Sequence, residues 1–163
     1  MIRPATAADA EALAALWEAS ARAGFTELLA PGHPFPTFDP MRVVQRLADD
    51  GLRVLVADED GELLAHTTFG TSRDADVDSS VAEVRSFYVH PSAWRRGIGS
   101  ALMERALSGM VEMDFEQATL WSFAENARAN AFYERHGFER DGTTRAEEVW
   151  ARVPEVRYRR SLT

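Results

Sequence analysis

The chain has 163 residues, 45% hydrophobic and 27% charged, which allows one core of ordinary globular composition but not comfortably two. It has no cysteine, and all 18 basic residues are arginine, so disulfides, thiolate nucleophiles, Cys-ligated zinc, Schiff-base lysines and the lysine of a GxxxxGK[ST] phosphate loop are excluded together. A net charge of −8 sets the field of the molecule against nucleic acid and anionic membranes, so neither is an expected partner and any anionic ligand needs a local basic site.

Thr6 with Asp9 three residues on is an N-cap signature ahead of Leu13, Leu16 and Trp17, and predicts a first helix ending near Gly24. Residues 25–40 mix Phe25, Leu28, Leu29, Phe35 and Phe38 with four prolines, and read as a long, partly apolar connection of the kind that often carries function. Asp39-Pro40 supplies an N-cap and first-turn proline for a second helix bearing Val43, Val44 and Leu47. Val54 to Ala57, a turn from Asp58 to Gly61, and Leu63 to Phe69 predict a hairpin. The segment Thr71 to Ser80 carries Asp74, Asp76 and Asp78 but lacks the glycine and glutamate of a calcium loop, and reads as a solvated acidic loop.

A strand over Val81 to Val89, a helix over Gly97 to Met110, a strand over Ala118 to Phe123 and a helix over Asn126 to His136 closed by Gly137 make a βαβα unit. Weaker strand signals follow at Phe138 to Thr144 and Val156 to Ser161. With no repeat or linker, the expectation is one mixed α/β domain over residues 1–163. No apolar run approaches the roughly 18 residues of a membrane span, and Met1-Ile2-Arg3-Pro4 lacks a signal peptide's apolar segment, so the expected location is cytoplasmic.

Between Glu83 and Glu104 lie Arg85, Arg95 and Arg96 and no acid, a local charge reversal that coincides with a strand, a glycine-containing turn and a helix start. A helix N-terminus presents unpaired N–H groups and partial positive charge, Gly97 and Gly99 admit a ligand close to the backbone, and Arg95 and Arg96 add fork-shaped donors, so an anion is expected there. A dinucleotide fingerprint fits poorly, because Leu102 stands where its third glycine belongs.

The segment resembles the GCN5-related N-acetyltransferase (GNAT) family, in which a strand leads through His-Pro into the loop [Q/R]-x-x-G-x-[G/A] that binds the coenzyme A pyrophosphate. Here the loop reads Trp94, Arg95, Arg96, Gly97, Ile98 and Gly99, followed by Ser100, with Trp94 in place of the usual Gln or Arg. The family's second signature, N-x-x-A-x-x-[F/L]-Y-x-x-x-G-F, matches Asn126, Ala129, Phe132, Tyr133, Gly137 and Phe138.

The resemblance implies a GNAT-like fold, a central twisted and mostly antiparallel sheet flanked by helices. It implies transfer of an acetyl group from acetyl-CoA, used as acyl donor without a metal, to a primary amine of a small molecule or peptide by direct attack in a ternary complex. Glu83 matches the position of a catalytic glutamate, with Asp78, Glu125 and Glu147 as substitutes, and Tyr133 that of the acid for the leaving thiolate. The backbone of Phe87, Tyr88 and Val89 would hold the pantetheine arm, with one N–H polarising the thioester carbonyl. Alternation sets Tyr88 on the opposite strand face from Phe87 and Val89. Asn126 would cap its helix or contact the cofactor. Family habit allows a homodimer. The alternative left open is a non-catalytic acyl-CoA-binding sensor or interaction module of the same fold.

Overall fold

The run Val54 to Ala57 alternates between two cores rather than between core and solvent. Val54 and Val56 cluster with Leu13, Leu16 and Val43, whereas Leu55 and Ala57 cluster with Leu102, Ala106 and Met110. Such a strand belongs to a sheet covered by helices on both faces. A computed structural model describes residues 1–163. Its strands are β1 (Ile2–Pro4), β2 (Leu52–Glu59), β3 (Glu62–Thr71), β4 (Val81–Val89), β5 (Gln117–Phe123), β6 (Glu139–Arg145) and β7 (Glu155–Ser161). They form one sheet in the order β1-β2-β3-β4-β5-β7-β6, antiparallel throughout except for the parallel pair β4 and β5.

Helices α1 (Ala10–Phe25) and α2 (Pro40–Leu47) cover one face, and α3 (Ile98–Glu112) and α4 (Ala127–Arg135) cover the other. The capping signals act as expected. The Thr6 amide donates to the Asp9 carboxylate at 2.7 Å in a 3-10 turn that leads into α1, and Asp39 accepts from the Met41 amide at 2.9 Å. Gly137 takes a φ of +81° past α4, a left-handed turn that other residues resist. No helix is long and apolar enough to cross a membrane.

The expectation of a solvated acidic loop at Thr71 to Ser80 is corrected. Asp76 holds Arg157 of β7 through two bonds of 2.7 Å, and Asp74 accepts from Arg157 at 3.2 Å and from the Trp121 indole at 3.2 Å. Asp141 completes the set at 2.7 Å, around an Arg157 side chain only 3% exposed. The cation these aspartates attract is the chain's own. Burial of a guanidinium is tolerable only when its donors are filled, and the loop supplies the acceptors.

Candidate functional site

β4 and β5 pair only from Val81 opposite Gln117 to Val84 opposite Leu120. Beyond that point β4 stays with β3 as far as Val89 opposite Ala65, while β5 goes with β7, and a cavity of about 790 Å³ opens along the parting. A bulge marks the spot: Phe69 opposes Val84 and Thr68 opposes Ser86, leaving Arg85 without a partner. The extra residue resets the alternation. Val84 and Phe87, three apart, both pack towards α3, while Tyr88 packs on Trp17 and Phe25 of α1 at 5.8 and 6.1 Å. The opposition of Tyr88 to Phe87 and Val89 therefore holds.

The His90 amide donates to the Leu64 carbonyl at 2.8 Å, so alternate residues Tyr88 and Ser86 direct their backbone groups to β3, and those of Phe87 and Val89 face the parting. An extended amide-bearing arm fits this edge. One acceptor there is already filled, because the Trp94 indole donates to the Val89 carbonyl at 2.9 Å. Trp94 also carries the Arg128 guanidinium over its ring at 3.3 Å, and both residues line the cavity.

The turn into α3 presents free backbone donors. Gly97 has a φ of +78°, and the first helical bond runs from the Ala101 amide to the Gly97 carbonyl at 3.1 Å, which leaves the amides of Ile98, Gly99 and Ser100 without a backbone acceptor. A pyrophosphate fits these donors. At Gly99 a Cβ would meet Val89 Cγ2 at 3.3 Å and Phe132 at 3.5 Å, so this glycine lets α3 lie close to β4 and α4. Arg95, Gly97, Gly99 and Ser100 line the cavity, but Arg96 and Ile98 do not. Arg96 pairs with Glu59 at 2.8 Å, and Ile98 packs into the core. Ser100 Oγ lies 3.2 Å from His136 Nε2.

Glu83 and Tyr133, from different elements, line the same cavity. Glu83 is 1% exposed and accepts from Arg73 Nε at 3.0 Å. Tyr133 sits among Phe132, Tyr158 and Phe138 at 5.6, 6.1 and 6.4 Å, and burial, with smaller effects of Tyr88 and Tyr158, holds its hydroxyl well above the ordinary tyrosine range. It is a phenol that keeps its proton. Burial also pushes Tyr88 up, to about 12. Asn126 caps α4 by accepting from the Ala129 amide at 3.4 Å and also lines the cavity. The substitutes for Glu83 lie elsewhere: Asp78 accepts from the Ser80 amide at 2.8 Å, Glu147 pairs with Arg145, and Glu125 is exposed.

Sequence reasoning passed over two residues here. Asn130, buried on α4, accepts from Ser122 Oγ at 2.7 Å and donates to the Phe123 and Ala124 carbonyls at 3.2 and 3.1 Å, which fixes the helix bearing Tyr133 to the end of β5. Glu155 is a second buried carboxylate on the cavity wall, raised by burial despite its bond with Arg145 at 3.1 Å. The first has a signal in the amide spaced four after Asn126; the second has none, because a Glu at a strand start is ordinarily solvated.

Residues 16–138 match the family model of the acetyltransferase (GNAT) family. The chain belongs to this GNAT family. A probable N-acetyltransferase of Mycobacterium tuberculosis is 32% identical over 117 residues, 71% of this chain and 64% of the relative. A mycothiol acetyltransferase of Beutenbergia cavernae is 37% identical over 91 residues, 55% of this chain and 29% of the relative. An L-amino acid N-acetyltransferase of Escherichia coli is 35% identical over 107 residues, 61% of each chain. The chain thus spans less than two thirds of each of these relatives. Among solved structures, the PaiA N-acetyltransferase of Thermoplasma acidophilum in complex with coenzyme A superposes with a TM-score of 0.81 at 15% identity, over 99% of this chain and 98% of that one. YncA of Salmonella typhimurium with acetyl-CoA gives 0.79 at 20% identity, over 100% and 94%. Both show the GNAT fold.

Proposed function

We propose that this GNAT chain is an acetyl-CoA-dependent N-acetyltransferase acting on a primary amine by direct attack. The observation that carries this reading is that Glu83 and Tyr133 line one cavity with the free amides at the start of α3. The relatives named as N-acetyltransferases, one for L-amino acids, support it.

The α3 amides and Arg95 bind the pyrophosphate, and the edge of Phe87 and Val89 holds the pantetheine arm. The Val89 N–H donates to the thioester carbonyl, where negative charge grows in the transition state. Glu83 takes a proton from the acceptor's ammonium, directly or through water. The freed amine attacks the carbonyl carbon, the C–S bond breaks, Tyr133 gives its proton to the departing thiolate, and the second proton shed by the acylated nitrogen restores Tyr133 through water. With no cysteine in the chain, an acyl-cysteine intermediate has no place to form.

The test is incubation with acetyl-CoA and a panel of amines, following free thiol release and the mass of the acceptor. Thiol release in step with an acetylated amine is the expected result. Tight acetyl-CoA binding with no acceptor modified across the panel would replace this reading with the non-catalytic one.

A further inference from the structure

Three guanidiniums lie near one another, two of them on the cavity wall beside a carboxylate. Arg73 and Arg85 line the cavity with Glu83, and Arg46 of α2 lies 4.8 Å over the ring of Trp17, which itself packs on the cavity residue Tyr88. Arg73 is committed to Glu83. Arg85 has no carboxylate partner: its Nη2 donates to the Thr71 carbonyl at 2.8 Å, and its Nε is buried with no acceptor at all. Arg46 has no ion pair either. Besides Glu83, the acid whose charge acts on Arg85 is Asp49, whose Oδ1 is engaged by the Gly51 amide at 2.9 Å.

The charges are close enough to disfavour one another. Burial and then Arg73 lower the pKa of Arg85, and burial and then Arg73 and Arg85 lower that of Arg46. A chain with 26 acidic residues does not lack carboxylates to place here, yet the cluster is left with excess positive charge. The Arg85 Nε without an acceptor costs stability, and the unpaired charge of its guanidinium favours a bound oxyanion. The same cavity has an apolar wall, with Phe25, Phe123 and Trp150 packed edge to face at 4.9 to 5.7 Å.

We propose that the acceptor is an amine carrying its own oxyanion, a carboxylate or phosphoryl group held by Arg85, with an apolar side chain against Phe25, Phe123 and Trp150. The chemistry is that of an α-amino acid or its phosphonic analogue. Glu83 lines the cavity with Arg85, so an acceptor anchored there through its oxyanion sets its ammonium beside the base. This deepens the proposed function and rests on it for turnover, though the binding step stands apart.

The experiment uses matched pairs: L-phenylalanine, L-leucine and L-methionine against the same amines without the carboxylate, and the phosphonic analogue of phenylalanine to separate the two oxyanions. Turnover with acetyl-CoA gives kcat/KM, and calorimetry with coenzyme A present gives binding independent of chemistry. A charge-assisted pair predicts that at least one carboxylate or phosphonate acceptor beats its decarboxylated partner by about thirtyfold or more, in turnover or in binding. Arg85→Gln should cut that ratio about tenfold, with the KM for acetyl-CoA held within about twofold. Binding of the anionic acceptors without turnover would overturn the acetyltransferase reading and leave the subsite standing. Equal or better use of the bare amines, failure of every anionic probe to bind, or an Arg85→Gln ratio equal to wild type would overturn the subsite.

Discussion

Arg73 holds Glu83 from both its side chain and its backbone: Nε reaches Oε2 at 3.0 Å and the amide reaches Oε1 at 3.3 Å. The pair is asymmetric, since the glutamate side chain is 2% exposed and the arginine 55%. A buried carboxylate needs such a partner to offset its lost hydration. The arginine is also the exposed half, so a substrate ammonium can approach the carboxylate from the cavity that both residues line.

Glu83→Gln preserves shape and removes the base. It should lower kcat by about 10²- to 10³-fold with the KM for acetyl-CoA within about twofold. Arg73→Met removes the side chain that holds the carboxylate in place and should also lower kcat, by less than Glu83→Gln does. Steady-state kinetics checks both. A Glu83→Gln enzyme with wild-type kcat would pass the base role to Glu155.

Tyr133→Phe deletes only the hydroxyl, and the ring contacts with Phe132, Phe138 and Tyr158 remain. Turnover should fall by about 10²-fold while acetyl-CoA affinity, measured by calorimetry, stays near wild type. Burial raises the hydroxyl above the ordinary tyrosine value of about 10, so the proton donor stays loaded as pH rises. The wild-type profile should accordingly show no basic limb that Tyr133→Phe abolishes below about pH 10.

The parts of this fold that were legible in the sequence are those where local chemistry and burial agree. Thr6, Asp39, Gly97 and Gly137 mark helix ends by their backbone demands, and the strand over Val81–Val89 matches the observed one at both ends. What failed to show itself depends on contacts between distant segments. Glu155, Arg157 and Arg159 alternate with Val156 and Tyr158 on β7, a pattern that reads as a polar solvent face, yet Arg157 is buried because the loop at residues 72–80 covers it. The bulge at Arg85 has no marker glycine, so nothing along the chain announces that an arginine is turned into the cavity.

That covering loop gives a stability prediction. Arg157→Met should strand the carboxylates of Asp74 and Asp141 and cost about 3 to 5 kcal/mol, read as a lower urea midpoint. Asp76→Asn should move that midpoint far less, because its side chain is 59% exposed. Arg73 adjoins Asp74, so loosening the loop also loosens the partner of Glu83, and Arg157→Met should lower kcat measured well below its unfolding temperature. Equal stability losses for the two variants would contradict the clamp.

His66 gives the acid side of the stability curve. It is 4% exposed, stacked on Tyr88 at 5.5 Å with the edge of Trp17 at 6.3 Å, and neither ring nitrogen has a hydrogen-bond partner. Burial, with help from the positive charge of Arg46, pushes its pKa down to about 3. In the unfolded chain it titrates near the ordinary value of about 6.5, so between these values the unfolded state takes up a proton that the folded state refuses. Its contribution is therefore full above about pH 6.5 and is lost as pH falls towards 3, a loss of about 2 kcal/mol between pH 7 and pH 5. His66→Phe keeps an aromatic ring in the stack and removes the titration. Urea unfolding of both proteins at pH 7 and pH 5 should show wild type losing about 2 kcal/mol more than the variant on acidification. A difference between the two proteins that is the same at both pH values would mean that the imidazole reaches solvent and protonates in the folded state.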